Sequence, residues 1–195
     1  PEIASRLTSF DRAGDATAQE RIATQAAAEV ARLLDRYERM PARPALWFTY
    51  HVYYKAPDLI GPAVARALAI PYVVAEGSRA AKRRQGPWAQ WHQLAEEALD
   101  EADLILCLNP ADMPALESAR PDGQALALFP PFVDVGEWPD GPREASGGDA
   151  RLLAVAMMRE GDKLASYKTL AAALLLSLRD PAANRSVDLR TAGDG

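Results

Sequence analysis

Residues 45–76 read ALWFTYHVYYKAPDLIGPAVARALAIPYVVAE and contain a complete strand–helix–strand pattern. The segment 45–50 is rich in aromatic and β-favouring residues, so it predicts a strand. Pro57 suits the first turn of a helix over 57–68, and the apolar run 70–76 predicts a second strand. Two strands separated by a helix of this length indicate a βαβ unit with a parallel sheet.

The same alternation continues on both sides of this unit. Apolar residues at helical spacing predict further helices over 16–39, 88–101, 109–119 and 162–179. Short apolar runs predict further strands over 102–108, 124–129, 151–157 and 187–192. The fold class is therefore α/β, with mostly parallel sheets. The nearly continuous apolar runs favour sheets that are covered by helices on both faces.

One stretch rich in Pro, Gly and Asp interrupts the alternation and is typical of a linker. It predicts two Rossmann-like units, the first over 1–133 and the second over 151–195, joined by a linker over 134–150. The second unit has only two predicted strands, and a two-stranded parallel piece cannot bury both of its faces. We therefore expect the chain to be the middle of a longer protein, with its first strands and most of the second unit lying outside it.

Composition narrows the class of protein. The chain has 195 residues, of which 49% are hydrophobic and 25% charged, as in globular domains. A net charge of −5 argues against a nucleic-acid partner, because phosphate backbones need a cationic surface. The only cysteine, Cys107, lies in an apolar run, which predicts a buried core residue and excludes an intrachain disulfide. No signal sequence or apolar run of about 20 residues is evident, so we expect a cytoplasmic protein.

Polar residues cluster after the predicted strands, where ligands gather in parallel α/β sheets. Those of the first unit are candidates for binding a substrate: His51, Tyr53, Lys55, Gly77, Ser78 and Arg79. Those of the second unit are Arg159, Lys163 and the final Gly193, Asp194 and Gly195. The residue types point to hydrogen bonding and anion binding, and no cluster with metal-ligand spacing is evident.

Arg159 and Lys163 flank the predicted start of a helix, an end that repels positive charge by about 0.3–1 kcal/mol. An anion such as a diphosphate would explain both cations, because free helix N–H groups would join them in binding it. The alternative is that both cations are solvated loop residues neutralised by Glu160 and Asp162. The spacing alone leaves both interpretations open.

Several segments resemble glycosyltransferase family 4. LLAVAMMREGDKLASYKTLAAAL (152–174), followed by VDLRTAGDG (187–195), resembles the start of that family's carboxy-terminal domain. LWFTYHVYYKAPDLIGPAVARALAIPYVVAEGSRA (46–80) is similar to a segment of its amino-terminal domain. ADLILCLNPADMPAL (102–116) and FPPFVDVGEW (129–138) resemble the part before its interdomain linker.

The resemblance implies a GT-B fold and a hexosyltransferase that uses a nucleotide-diphosphate sugar as substrate, without a metal or cofactor. It implies that Arg159 and Lys163 bind the donor diphosphate, with Gly193, Asp194 and Gly195 in a donor-side loop. A sugar, lipid-linked or small-molecule acceptor would bind the first unit, and transfer would retain the anomeric configuration. An intact protein of this kind is an enzyme.

The chain departs from the family pattern at two points. The family usually has a His after the Pro-Val-Val strand, where this chain has Glu76, so His51 and Glu76 are only weak catalytic candidates. The family's Glu-x7-Glu segment would lie past Gly195. We therefore expect the 195-residue chain alone to be inactive.

A basic and aromatic stretch follows the second predicted strand. It contains Arg79, Lys82, Arg83, Arg84, Trp88 and Trp91. This patch predicts either an anionic acceptor or peripheral contact with an anionic membrane, at the inner face if the protein is cytoplasmic. The alternative is a solvated loop before a helix.

Two other functions stand beside the transferase. The first is a truncated, non-catalytic Rossmann-like unit that binds a nucleotide or a partner. The second is a nucleotide-binding oxidoreductase, which is disfavoured because no G-x-G-x-x-G follows any predicted strand.

Overall fold

The computed structural model describes residues 1–134, 136, 150–156, 160–177 and 187–192. The chain divides into two compact units, Pro1–Asp134 and Val135–Gly195. Both units contain parallel strands connected through helices, so the predicted α/β class is confirmed.

The first unit contains the predicted elements in the predicted order. Its helices are α1 (Ala16–Glu38), α2 (Gly61–Leu68), α3 (Ala89–Asp100) and α4 (Met113–Ser118), with short 3₁₀ turns at Ala81–Arg83 and Pro110–Asp112. Its strands are β1 (Trp47–Val52), β2 (Tyr72–Gly77), β3 (Leu104–Cys107) and β4 (Ala125–Leu128). They form a four-stranded parallel sheet in the order β1-β2-β3-β4.

The described helices of this unit lie on one face of the sheet. Each strand is added on the same side of the previous one, and right-handed crossovers then place α2, α3 and α4 on a single face. Helix α1 packs beside α2 and adds Leu33 and Tyr37 to the same core. The expectation of helices on both faces is therefore wrong for the described residues.

The two faces of the sheet differ accordingly in burial. Partners in register share a face, and Thr49, Val74, Ile105 and Leu126 point toward the helices, with Val74 and Ile105 fully buried. On the other face the apolar side chains Phe48 and Tyr50 are 54% and 62% exposed. Cys107, as predicted, is buried, and burial raises the pKa of its thiol.

A buried carboxylate connects β1, β2 and the start of α2. Asp58 accepts hydrogen bonds from the backbone N–H groups of Ile60 and Gly61, at 2.9 and 2.8 Å. It also accepts from the Tyr72 hydroxyl at 2.9 Å and from the Thr49 hydroxyl. This turn around Asp58 explains why α2 begins at Gly61, later than Pro57 predicted.

The free energy of unfolding is expected to fall above pH 10 partly through Tyr72. Burial and the neighbouring Asp58 charge raise the pKa of Tyr72 well above its ordinary value near 10. The unfolded chain therefore loses this proton first, and stability that is complete below about pH 10 declines as pH rises. Urea unfolding between pH 8 and 11 measures this, with Tyr72→Phe as the variant. The variant should be less stable at pH 8 and show a shallower decline; an equal slope in both proteins contradicts the role of Tyr72.

The second unit contains β5 (Ala150–Val155), α5 (Asp162–Ser177) and β6 (Val187–Ala192), with β5 and β6 paired in parallel. The Tyr167 hydroxyl of α5 donates to the carbonyl of Ala156, which fixes the helix to the end of β5. Large apolar side chains are exposed here, including Leu153 at 69% and Val155 at 71%. This exposure agrees with the expectation that two parallel strands cannot bury both faces.

Candidate functional site at the carboxyl ends of β1 and β2

The carboxyl ends of β1 and β2 bring His51 and Glu76 together. Tyr50 pairs with Ala75 and Val52 with Gly77, so the register places His51 directly opposite Glu76. The His51 Nδ1 and Glu76 Oε2 atoms are 4.0 Å apart. The structure thus places His51 inside β1, whereas the sequence predicted it just after the strand.

Both residues have left-handed backbone conformations. The φ angle is +66° at His51 and +60° at Glu76, a region that residues other than glycine rarely adopt. Such conformations cost of order 1–3 kcal/mol each and cluster at functional sites, where the surrounding fold holds them. Here the same irregularity occurs at the same register in two adjacent strands, so both side chains turn toward each other at the edge of the sheet.

The environment of Glu76 leaves its carboxylate available to a ligand. Its Oε2 atom is buried and has no hydrogen-bond partner among the described residues. Attraction of the Tyr50 hydroxyl proton to the Glu76 carboxylate raises the pKa of Tyr50. A buried carboxylate oxygen without a partner is unfavourable, and a ligand hydroxyl in this position would satisfy it.

Aromatic rings extend from this pair in a continuous row. Tyr53 stacks on His51, with ring centres 4.5 Å apart and planes inclined by 25°, and Tyr50 meets His51 edge-on at 5.9 Å. Tyr54 and then Trp88 continue the row, with centre distances of 5.6 and 5.9 Å. Rings of this kind present flat apolar faces on which a sugar ring can stack.

A cavity of about 250 Å³ lies beside the pair. Thr49, Tyr50 and His51 line it together with residues from 7–10 and 56–60. This volume is below the range of about 300–1,000 Å³ for small-molecule pockets, so the cavity suits a small group rather than a whole nucleotide sugar.

The other predicted residues of this edge have contacts within the fold. A Cβ atom at Gly77 would lie 2.7 Å from Leu99 Cδ2, so close packing requires the glycine. The Ser78 hydroxyl donates to Asp112 at 3.1 Å. Arg79 is 6% exposed and paired with two carboxylates on α3. Acceptor binding by these three residues stays a prediction, but the pairing neutralises the charge of Arg79.

The partners of Arg79 are Glu96 at 2.7 Å and Asp100 at 2.5 Å. His92, on the same helix, is buried, and its Nε2 atom lies 3.6 Å from Glu96 Oε1. These contacts make Arg79 and His92 part of the packing between α3 and the loop after β2.

A cluster of two cations and two rings lies beyond Tyr53. We call Lys55, Arg83, Tyr54 and Trp88 the clamp. Lys55 Nζ lies 4.9 Å from the Trp88 ring centre and 5.8 Å from that of Tyr54. Arg83 Cζ lies 5.5 and 5.0 Å from the same centres.

The clamp corrects the membership of the basic and aromatic patch predicted from sequence. Trp91 is fully buried, and its indole N–H donates to the carbonyl of Ser9 at 2.9 Å. Arg79, as described, is paired and buried. Lys82 and Arg84 remain exposed beside the clamp.

On the donor side the structure describes only part of the predicted site. Lys163 is exposed in the first turn of α5 and makes no ion pair with the described residues. Arg159, Gly193, Asp194 and Gly195 lie outside the described residues. The predicted binding of a diphosphate by Arg159 and Lys163 therefore stays a prediction.

Comparison with known proteins adds no relative: no family model matches the chain, and a search of curated proteins found no match. Among the described residues, no group of three or more His, Cys, Asp or Glu side chains is placed to hold a metal ion. None of the described helices combines the length and apolarity needed to cross a membrane.

Proposed function

We propose that the chain is part of a GT-B glycosyltransferase that moves a hexose from a nucleotide-diphosphate sugar to a sugar, lipid-linked or small-molecule acceptor. The observation that carries the proposal is the His51–Glu76 pair, held in two strained conformations at the carboxyl ends of adjacent parallel strands. The parallel α/β units and the sequence resemblance to glycosyltransferase family 4 support it further.

The chemistry of the pair suits an acceptor hydroxyl. A hydroxyl that attacks a sugar must lose its proton, and a positioned carboxylate or imidazole accelerates such proton transfer by about 10²–10⁴-fold. Glu76 Oε2 is a buried acceptor without a partner, and His51 lies next to it. In this proposal Glu76 binds the acceptor hydroxyl, His51 assists proton removal, and Tyr53 supports the sugar ring.

On the donor side, Arg159 and Lys163 hold the diphosphate and neutralise the charge that develops on the leaving group. The exposed position of Lys163 at the start of α5 supports this role, because its ammonium group is accessible to a bound anion. Gly193, Asp194 and Gly195 form the neighbouring donor-side loop in the same proposal.

Arg159→Ala and Lys163→Ala are each expected to weaken binding of a nucleoside diphosphate by about 1.5–3 kcal/mol, the cost of a lost charged hydrogen bond. This corresponds to an affinity about 10- to 150-fold lower. The measurement is calorimetric titration of uridine, guanosine and adenosine diphosphates into the full-length protein, followed by a transfer assay with nucleotide sugars.

Lys168→Ala is the matched control, because it removes the same charge from an exposed position further along α5. Equal losses in all three variants would reduce the effect to overall charge and contradict the donor site. Diphosphate binding without any sugar transfer would favour a non-catalytic Rossmann-like binding unit over the transferase.

A further inference from the structure

The clamp contains two cations without counter-ions in an acidic protein. The chain carries a net charge of −5, and the first unit pairs five of its arginines with carboxylates: Arg32, Arg36, Arg39, Arg66 and Arg79. Lys55 and Arg83 have no ion-pair partner among the described residues. Two like charges around the same rings repel each other unless an anion joins them.

Arg83 supplies a second indication of a missing partner. Its Nε atom is buried and has no hydrogen-bond partner among the described residues. Buried donors are normally satisfied in folded proteins, and an exception calls for a ligand, an ion or a water molecule. Contact with a ring face offers a cation attraction but accepts no conventional hydrogen bond, so Tyr54 and Trp88 do not satisfy this donor.

We propose that the clamp binds the phosphate group of the acceptor substrate. The planar guanidinium of Arg83 matches two phosphate oxygens, and the ammonium group of Lys55 adds a mobile charge. Tyr54 and Trp88 are partly exposed, so they leave access while reducing the contact of the cations with water. The binding of phosphate rests on this geometry, and its assignment to the acceptor rests on the proposed function.

The position of the clamp connects it to the His51–Glu76 pair. Lys55 follows β1 and Arg83 follows β2, so both come from loops at the carboxyl edge that carries the pair. The rings of Tyr53 and Tyr54 bridge the two places, with centres 5.6 Å apart. One ligand can therefore place a sugar hydroxyl at Glu76 and a phosphate at the clamp, as a sugar phosphate or a phosphate-linked lipid would.

The test compares four variants that each remove one positive charge and keep an unbranched side chain: Lys55→Met, Arg83→Met, Lys82→Met and Arg84→Met. Each full-length protein is titrated calorimetrically with inorganic phosphate and with a hexose phosphate. We expect the Lys55 and Arg83 variants to bind about tenfold more weakly, the effect of one charged contact, and the Lys82 and Arg84 variants to bind within about twofold of the parent protein.

A second arm uses sedimentation with phosphatidylglycerol vesicles and with neutral phosphatidylcholine vesicles. Binding to the anionic vesicles alone that is lost only in the Lys55 and Arg83 variants supports the clamp and assigns its phosphate to a lipid headgroup. Binding of the soluble hexose phosphate with the same variant pattern supports it and assigns the phosphate to a soluble acceptor.

The proposal is overturned if no phosphate compound or anionic vesicle binds, or if all four variants lose affinity equally. Circular dichroism of each variant establishes that it is folded before binding is compared. Because both arms measure binding without sugar transfer, a protein that binds phosphate but transfers no sugar upholds the clamp and removes only the acceptor assignment. A failed clamp leaves the transferase proposal standing.

Discussion

Replacing Asp58 with alanine is expected to lower the free energy of unfolding by about 3 kcal/mol or more, the largest effect on stability that we expect from a single residue. The change removes the cap of α2, which is worth about 1 kcal/mol. It also leaves the hydroxyl of the buried Tyr72 without an acceptor, at a cost of about 1–3 kcal/mol. Thr49 loses its acceptor as well. Urea unfolding followed by circular dichroism measures the difference.

Asp15→Ala provides the control, because Asp15 caps α1 through the N–H groups of Thr17 and Ala18 and makes no other described side-chain bond. It should cost about 1 kcal/mol, the value of a cap alone. If Asp58→Ala costs no more than Asp15→Ala, the bonds of Asp58 to Tyr72 and Thr49 contribute nothing beyond the cap.

The order and type of the elements could be predicted because the local signals agree with the fold. The strand Val187–Ala192 has the predicted bounds, since an apolar run ends there at glycine. The start of α2 was predicted too early, because Pro57 suits a first helical turn equally well whether or not the following Asp side chain forms a turn of its own. Such differences depend on a few hydrogen bonds that composition does not specify.

The burial of the sheet could not be predicted from apolar runs alone. Phe48 and Tyr50 belong to a run that is typical of a strand covered on both faces, yet both are more than half exposed. The number of faces covered depends on the direction in which strands are added, and this is a property of topology rather than of any one strand.

The geometry of the candidate site also lies beyond sequence signals. Left-handed backbone is predicted by glycine or asparagine, and neither His51 nor Glu76 is of these types. The ion pairs of Arg79 join residues 17 and 21 positions apart on separate elements, so an unpaired cation was the natural interpretation of the sequence. What the sequence did predict is that polar residues gather at this edge.

The strained pair should separate stability from activity. His51→Gly and His51→Ala both remove the imidazole, so both are expected to lower sugar transfer by the full-length protein by about 100-fold or more. Only glycine adopts a φ of +66° without a steric penalty, and we expect the glycine variant to be about 1 kcal/mol more stable than the alanine variant. The same comparison at Glu76, where φ is +60°, should give the same pattern.

Ala69→Gly is the control for strain without function, because Ala69 has a φ of +52° at the end of α2, where a left-handed glycine is the usual cap. This variant should gain a similar stability in urea unfolding and keep its transfer rate. If the glycine and alanine variants at His51 unfold at the same urea concentration, the backbone there stores no strain. If they transfer sugar at the parent rate, the pair lies outside the reaction, because a fold that holds two unfavourable conformations at one edge would then gain no catalysis from them.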